Sequence, residues 1–284
     1  MRTVAGIGLC WLAATIATTT AAADINVQAG DVKDTRTTEK FFAGLEVHLK
    51  FLGDDLDGAK SLHCNVTKAV DDTGRDLVKT EKEDAQQSSG ENCDDSGRAE
   101  VTVQLKNPAR KATMVKELAG EVVVFKPKND PAATLTFSNV NVKTGLVLTH
   151  ATLAANQIKA AVLSKEQYEK KAKDAEKAAE AKNGMEKMGE GMAKAFAGMF
   201  GGMMTPSENS VILEVTDPQA KLVSVEFTDA GGKPIHPQST MSTDTARVYD
   251  FEKPLPPTSR IRLFVSTPKA MIHAPFTLNN LLLP

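Results

Sequence analysis

Six of the ten methionines lie within twenty residues, between positions 185 and 204. With two phenylalanines they recur every three or four residues, which places them on one face of a helix. We call this set the Met stripe, and its members are Met185, Met188, Met192, Phe196, Met199, Phe200 and Met203. Thioethers suit a groove of the protein's own core, a partner or membrane surface, or a soft metal such as Cu(I). The stripe is therefore the candidate interaction surface, with periplasmic copper handling as an alternative.

The five histidines show no spacing that supports catalysis. None forms an H-x-x-x-H, H-E-x-x-H or H-x-H pattern, and the chain has no G-x-S-x-G elbow, P-loop or dinucleotide fingerprint. Asp54, Asp55 and Asp57 do not complete an EF-hand loop, because Gly53 stands where the first ligand should be. Asp71-Asp72 and Asp94-Asp95 each precede a glycine and predict turns. We therefore expect no cofactor and assign no catalytic or metal-binding residue, although a secreted hydrolase with dispersed catalytic residues stays an alternative.

Charge and aromatic content exclude further classes of function. Lys plus Arg number 34 and Asp plus Glu number 36, so the chain lacks the positive excess that holds a phosphate backbone. Nucleic acid is not an expected partner. Aromatic residues make up 5% of the chain, and its single tryptophan is Trp11. Because the chain has so few aromatic residues, carbohydrate binding through aromatic platforms is also disfavoured.

The first 23 residues have the pattern of a signal peptide. Arg2 supplies a positive start, an apolar run follows from Ile7 to Ala17, and Ala21-Ala22-Ala23 forms a small-residue cleavage site. The apolar run is too short for a spanning helix, which needs about 20 residues. We expect cleavage before Asp24, no transmembrane segment in the mature chain, and a periplasmic or extracellular location.

Export makes a disulfide the leading expectation for the two remaining cysteines, Cys64 and Cys93. The bond would close a loop of about 30 residues and contribute about 3 kcal/mol in the chain-entropy model. Adjacent residues on a strand point to opposite faces, so His63 does not join Cys64 in a metal or catalytic pair.

Hydrophobic patterning divides the mature chain into three zones. Residues 24–163 contain short runs with apolar residues at every second position, such as Leu45, Val47, Leu49 and Phe51. Residues 164–206 predict a charged and then Met-rich helical insertion, with Ser164 and Gln167 as a capping box. Residues 207–284 return to strand patterns and predict a second, smaller domain. The expected fold is mainly β, with two antiparallel β-sandwich domains and a long helical insertion between them.

Four short matches recur in the same order in the two β zones and predict two copies of one β unit. They are Leu45-Glu46-Val47 with Leu213-Glu214-Val215, Ala59-Lys60 with Ala220-Lys221, Asp71–Leu77 with Asp229–Ile235, and Ala99-x-Val101 followed by Pro108 with Ala246-x-Val248 followed by Pro254.

The segment from Val225 to Ile235, which reads V-E-F-T-D-A-G-G-K-P-I, resembles the strand, turn and Lys-Pro hairpin of bacterial immunoglobulin-like domains in secreted and surface proteins. The segment from Asp71 to Leu77 is a looser copy. The resemblance implies a β-sandwich with a binding or spacer role. Together these patterns predict an exported, non-enzymatic binding or interaction protein that contacts a protein or envelope partner, or a membrane surface, through the Met stripe.

Overall fold

The computed structural model describes residues 24–37, 43–79, 89–90, 98–138, 145–171, 174, 206–243 and 246–284. This part of the chain is mainly β, and all its strand pairs are antiparallel. In chain order the strands are β1 (Asn26–Thr35), β2 (Gly44–Leu52), β3 (Ser61–Asp71), β4 (Ser89–Gly90), β5 (Arg98–Leu105), β6 (Met114–Phe125), β7 (Thr134–Ser138), β8 (Leu146–Leu148), β9 (Lys159–Leu163), β10 (Val211–Thr216), β11 (Leu222–Thr228), β12 (Pro234–Ile235), β13 (Ser239–Ser242), β14 (Ala246–Asp250), β15 (Arg260–Val265) and β16 (Met271–Leu282).

Four sheets group into two units, each built around its own hydrophobic core. Unit 1 contains the sheets β1-β2-β5 and β16-β6-β3-β4. Unit 2 contains the sheets β13-β14-β10-β9-β8 and β12-β11-β15-β7. In each unit both sheets contribute side chains to the same core.

The alternating pattern read from the sequence places the predicted side chains in these cores. Leu45, Val47, Leu49 and Phe51 of β2 are fully buried in unit 1, because residues two apart on a strand share a face. In unit 2, Phe227 makes edge-on contacts with Tyr249 and Phe251, with ring centroids 5.0 Å apart in both pairs. The strand predictions in both β zones are confirmed.

Strand pairing divides the chain differently from the predicted ranges. Strands β7, β8 and β9 lie within 24–163 but pair with strands of unit 2. Strand β16 lies within 207–284 but pairs with β6 of unit 1 along almost its whole length. Hydrophobic periodicity reports which face of a strand is buried and carries no information about its partner, so composition could not assign these strands.

The helical zone begins as predicted. Residues 165–171 are helical, and Ser164 and Gln167 form a capping box: the Gln167 amide donates to Ser164 Oγ at 3.1 Å, and the Ser164 amide donates to Gln167 Oε1 at 2.9 Å. Tyr168 packs against a small cluster on the outer face of β9, β10 and β14. The long insertion and the Met stripe lie outside the described residues, as do residues 1–23. Among the helices that the structure describes, none has the length and apolarity of a membrane span.

Candidate binding groove

A pocket of about 720 Å³ lies at the β8 edge of the five-stranded sheet of unit 2. Strands β8, β9 and β10 and the short helix α1 (Ala151–Ala155) form its walls. We call it the β8 groove, and it is lined by Val147, Leu148, Thr149, His150, Leu153, Ala154, Gln157, Ile158, Lys159, Ala160, Ala161, Glu214 and Thr216. Seven of these thirteen residues are aliphatic, and four of the seven, Leu148, Leu153, Ile158 and Ala160, also belong to the buried core of unit 2. Such a mixed lining suits a ligand with both an apolar portion and polar groups.

Val147 is the most unusual side chain of the groove. It is 62% exposed, and among the described residues Val147 and Leu282 are the two large hydrophobic side chains that are exposed. Val147 pairs with Ala161, and Ala161 pairs with Glu214, so the three residues form one row across β8, β9 and β10. Val147 is therefore an open aliphatic side chain on the edge strand of the sheet, next to the small side chain of Ala161.

Helix α1 was not predicted, and local hydrogen bonds explain why the chain turns there. The Thr152 amide donates to His150 Nδ1 at 3.1 Å, so a histidine ring serves as the N-cap. The helix ends before Gln157, which adopts a left-handed φ of 59°, and the Ile158 amide then donates to the Leu153 carbonyl at 2.9 Å. This turn brings β9 back against β8 and closes one wall of the groove.

Six lining residues of the groove are polar: Thr149, His150 and Gln157 flank α1, and Lys159, Glu214 and Thr216 lie on β9 and β10. Glu214 is paired with Lys171 at the start of the helical zone. Lys159 and Thr216 oppose each other on β9 and β10. The Lys171–Glu214 pair joins two solvent-accessible side chains and contributes little to stability, but it shows that the first helical turns lie beside the groove.

The five histidines are dispersed and each has an ordinary structural setting. His48 Nδ1 lies 3.1 Å from Thr102 Oγ1 across β2 and β5, and His273 is paired with Glu121 at 3.2 Å across β16 and β6. His150 caps α1, His63 lies on β3, and His236 follows β12. Within the described ranges no three His, Cys, Asp or Glu side chains are grouped as a metal site would require.

Cys64 is buried in the core of unit 1, and burial raises the pKa of its thiol to about 12. A free thiol with this pKa is almost wholly protonated at neutral pH and reacts poorly. Cys64 has no disulfide partner among the described residues, and Cys93 lies outside them. Strand β4 pairs with β3 at Leu62 and His63 and ends at Gly90, three residues before Cys93. The disulfide therefore stays a prediction.

The structure describes some of the acidic residues that the sequence analysis singled out and leaves others undescribed. Asp71 and Asp72 lie at a turn, as predicted, with Gly74 at a φ of 87°. Asp55 accepts a hydrogen bond from the Asp24 amide, and Asp54 begins a single 3-10 turn. Asp94 and Asp95 lie outside the described residues.

The β8 groove itself was missed by sequence reasoning. Its walls come from segments up to about 70 residues apart, and the only local signal was the short apolar run that contains Val147. Comparison with family models, with curated proteins and with solved structures gave no match to this chain.

Proposed function

We propose that the chain is an exported, non-enzymatic binding protein and that the β8 groove receives an apolar portion of its ligand or partner. The observation that carries this proposal is a concave site in which aliphatic and polar residues meet, with Val147 exposed at its edge. Binding sites are typically concave and mostly apolar, with a few polar groups that set orientation. Glu214, Lys159 and Thr216 are such groups here.

The two units are proposed to be β-sandwiches of the bacterial immunoglobulin-like kind, with a long helical insertion between the paired strands β9 and β10 of unit 2 and not between the units. Support comes from the two cores, each filled by side chains from two sheets, and from the turn at Asp229, which carries the sequence resemblance. In this arrangement the Met stripe is a second contact surface, for a protein or envelope partner or a membrane surface, carried by the insertion that leaves unit 2 beside the β8 groove.

Introduction of a negative charge at Val147 tests the groove. The probe is 1-anilinonaphthalene-8-sulfonate, which fluoresces when it binds an apolar surface. In the protein lacking residues 1–23, Val147→Asp should weaken dye binding about tenfold, because the carboxylate must be desolvated on contact. Leu282→Asp is the matched control, since Leu282 is 72% exposed but lies on β16 of unit 1.

Equal dye binding by the wild type and Val147→Asp, or equal weakening by both variants, would contradict a binding role for this groove. Turnover of ester, glycoside or peptide substrates that is lost on substitution of a single histidine would contradict a non-enzymatic function.

Export is supported by the environment of Asp24. Its backbone nitrogen donates to Asp55 Oδ2 at 2.9 Å. Cleavage after Ala23 would turn this nitrogen into an ammonium group and the contact into a charge-assisted hydrogen bond. The proposed mature N-terminus therefore already has an anionic partner.

Cleavage can be tested by mass spectrometry of the protein secreted from a bacterial host. The mature form should begin at Asp24 and contain 261 of the 284 residues. Ala21→Leu and Ala23→Leu should block processing, because the enzyme requires small residues at these two positions, whereas Ala22→Leu should be processed normally. Retention of residues 1–23 by the wild-type chain in the exported fraction would contradict the proposal.

A further inference from the structure

The turns that follow β3 and β11 have the same hydrogen bonds at the same spacing. The Asp71 amide donates to the Arg75 carbonyl, and the Arg75 amide donates back to Asp71 Oδ1. Asp229 and Lys233 exchange the same two hydrogen bonds. Each turn contains a glycine with φ near 90°, Gly74 in one and Gly232 in the other, whose amide donates to the carbonyl of the aspartate. The third of the four sequence matches therefore corresponds to the same turn in both units.

The neighbouring strands of the two units also correspond. Strand β2 pairs with β5 as β10 pairs with β14, and β3 pairs with β6 as β11 pairs with β15. Leu45 and Leu213, the first residues of the first sequence match, are both fully buried in their cores. The fourth match is wrong in register: Val101 lies in the core of unit 1, whereas Val248 packs on the outer face of unit 2.

The last strand of each copy has an equivalent in the other copy. Residues 127–137 read P-K-N-D-P-A-A-T-L-T-F and residues 268–278 read P-K-A-M-I-H-A-P-F-T-L, an alignment without gaps. Both begin with a Pro-Lys 3-10 turn, Pro127–Asn129 in one and Pro268–Ala270 in the other. Leu135 of β7 and Phe276 of β16 occupy equivalent positions, and both are buried.

These equivalent strands do not pair with the strand that precedes them in the chain. Strand β7 follows β6 but pairs with β15, and β16 follows β15 but pairs with β6. We propose that the two units are copies of one repeat that have exchanged their last strands within a single chain, and that this exchange couples them into one cooperative folding unit.

The segment that connects β6 to β7 and the segment that connects β15 to β16 lie side by side where the chain passes from one unit to the other. The Lys126 amide donates to the Ala270 carbonyl at 2.8 Å, and Thr267 Oγ1 donates to Asp130 Oδ2 at 2.6 Å. The rings of Phe125 and Phe264 meet edge to face, with centroids 6.5 Å apart. The two connecting segments are therefore in direct contact with each other, as expected if the exchanged strands have a single arrangement.

The exchange has a consequence for stability. Strand β16 belongs by sequence to the second copy, yet its side chains Ala274 and Phe276 are part of the core of unit 1. Leu135 of β7 is likewise part of the core of unit 2. Neither core can be completed without a strand supplied by the other copy, so loss of one core removes structure from both.

Two engineered cysteine pairs distinguish exchanged from unexchanged strands, in a full mature chain carrying Cys64→Ala and Cys93→Ala. Ala119 of β6 lies opposite Thr277 of β16. Thr136 of β7 is the equivalent of Thr277 and would face Ala119 if each copy kept its own last strand. Under oxidation, Ala119→Cys with Thr277→Cys should cross-link within one chain, and Ala119→Cys with Thr136→Cys should not.

Each other outcome overturns the proposal. A cross-link in the Thr136→Cys variant means that β7 pairs with β6. A link of the Thr277→Cys variant that joins two chains means that the exchange occurs between molecules. Failure of both pairs to link means that β16 does not lie on β6 in this register.

Hydrogen–deuterium exchange of the full mature chain tests the coupling. Phe276→Ala should reduce amide protection in β10 and β14 of unit 2 by the same factor, within about twofold, as in β2 and β5 of unit 1. Leu135→Ala is the matched variant in β7. It should reduce amide protection in β2 and β5 of unit 1 by the same factor, within about twofold, as in β10 and β14 of unit 2. A loss of protection confined to the unit that houses the substituted side chain overturns the coupling. The same holds if Phe276→Ala unfolds unit 1 and unit 2 keeps its protection.

Discussion

Replacing Asp71 by alanine is expected to lower the free energy of unfolding by about 3 kcal/mol or more, measured by urea denaturation at pH 7. Asp71 is fully buried at the end of β3. Its Oδ1 accepts from the Thr73 amide at 2.9 Å, the Thr73 hydroxyl at 2.7 Å and the Arg75 amide at 2.9 Å. Its Oδ2 accepts from the Ala109 amide at 2.9 Å, which ties the turn to the segment after β5. Alanine would leave these donors without partners in a site that water does not reach.

The equivalent turn of unit 2 supplies the control. Asp229 accepts the Lys233 amide in the same way, but it is only partly buried and has no counterpart of the Ala109 contact among its described hydrogen bonds. Asp229→Ala should therefore cost at most about 1 kcal/mol. Equal losses for the two variants would show that the shared turn, and not the buried second carboxylate oxygen, accounts for the effect.

The same carboxylate sets a pH dependence. Burial alone would raise the pKa of Asp71, but the amides of Ala109, Arg75 and Thr73 and the Thr73 hydroxyl outweigh it, so the pKa lies below its ordinary value. The stabilisation by ionised Asp71 is therefore complete above the ordinary aspartate pKa of about 4 and is lost as the pH falls through the lower folded-state value. Unfolding free energies of the wild type and Asp71→Asn should differ most at neutral pH and converge in acid. A difference that stays constant down to pH 2 would contradict this account.

Local sequence signals predicted the local structure of this protein well. The spacing of Leu45, Val47, Leu49 and Phe51 predicted their burial, because strand geometry alone determines which side chains share a face. Ser164 and Gln167 predicted the start of the helical zone, since the capping box is formed by residues three apart.

Pairing between distant strands could not be predicted in the same way. The identical Pro-Lys turns before β7 and β16 are visible in the sequence, but nothing in them shows that each strand crosses to the other unit. Val248 illustrates the same limit. Its alternating pattern matches that of Val101, yet it lies on the outer face of unit 2, because Tyr249 and Phe251 occupy the core side. The β8 groove escaped prediction for this reason too, since its residues meet only when β8, β9 and β10 pair.

The second large effect is expected at Gly120, in the middle of β6. Gly120 lies between Val66 of β3 and Phe276 of β16. A Cβ atom added there would lie 2.3 Å from the Asn65 carbonyl oxygen and 3.0 Å from Cε1 of Phe276. The backbone oxygen cannot move without separating β3 from β6, so Gly120→Ala should lower the free energy of unfolding by about 3 kcal/mol. Urea denaturation provides the measurement.

Gly30 of β1 is the matched control, because it is also a strand glycine without a left-handed φ. The nearest atom to its added Cβ is Lys50 Cε at 3.2 Å, the end of a flexible side chain. Gly30→Ala should therefore leave stability unchanged or raise it by up to about 1 kcal/mol, because alanine loses less chain entropy than glycine on folding. Adding Phe276→Leu to Gly120→Ala should not restore stability, since the closest contact is with the Asn65 backbone. Full recovery of stability in that double variant would contradict this account. It would mean that the Phe276 ring, and not the Asn65 carbonyl oxygen, leaves no room for a Cβ atom at position 120.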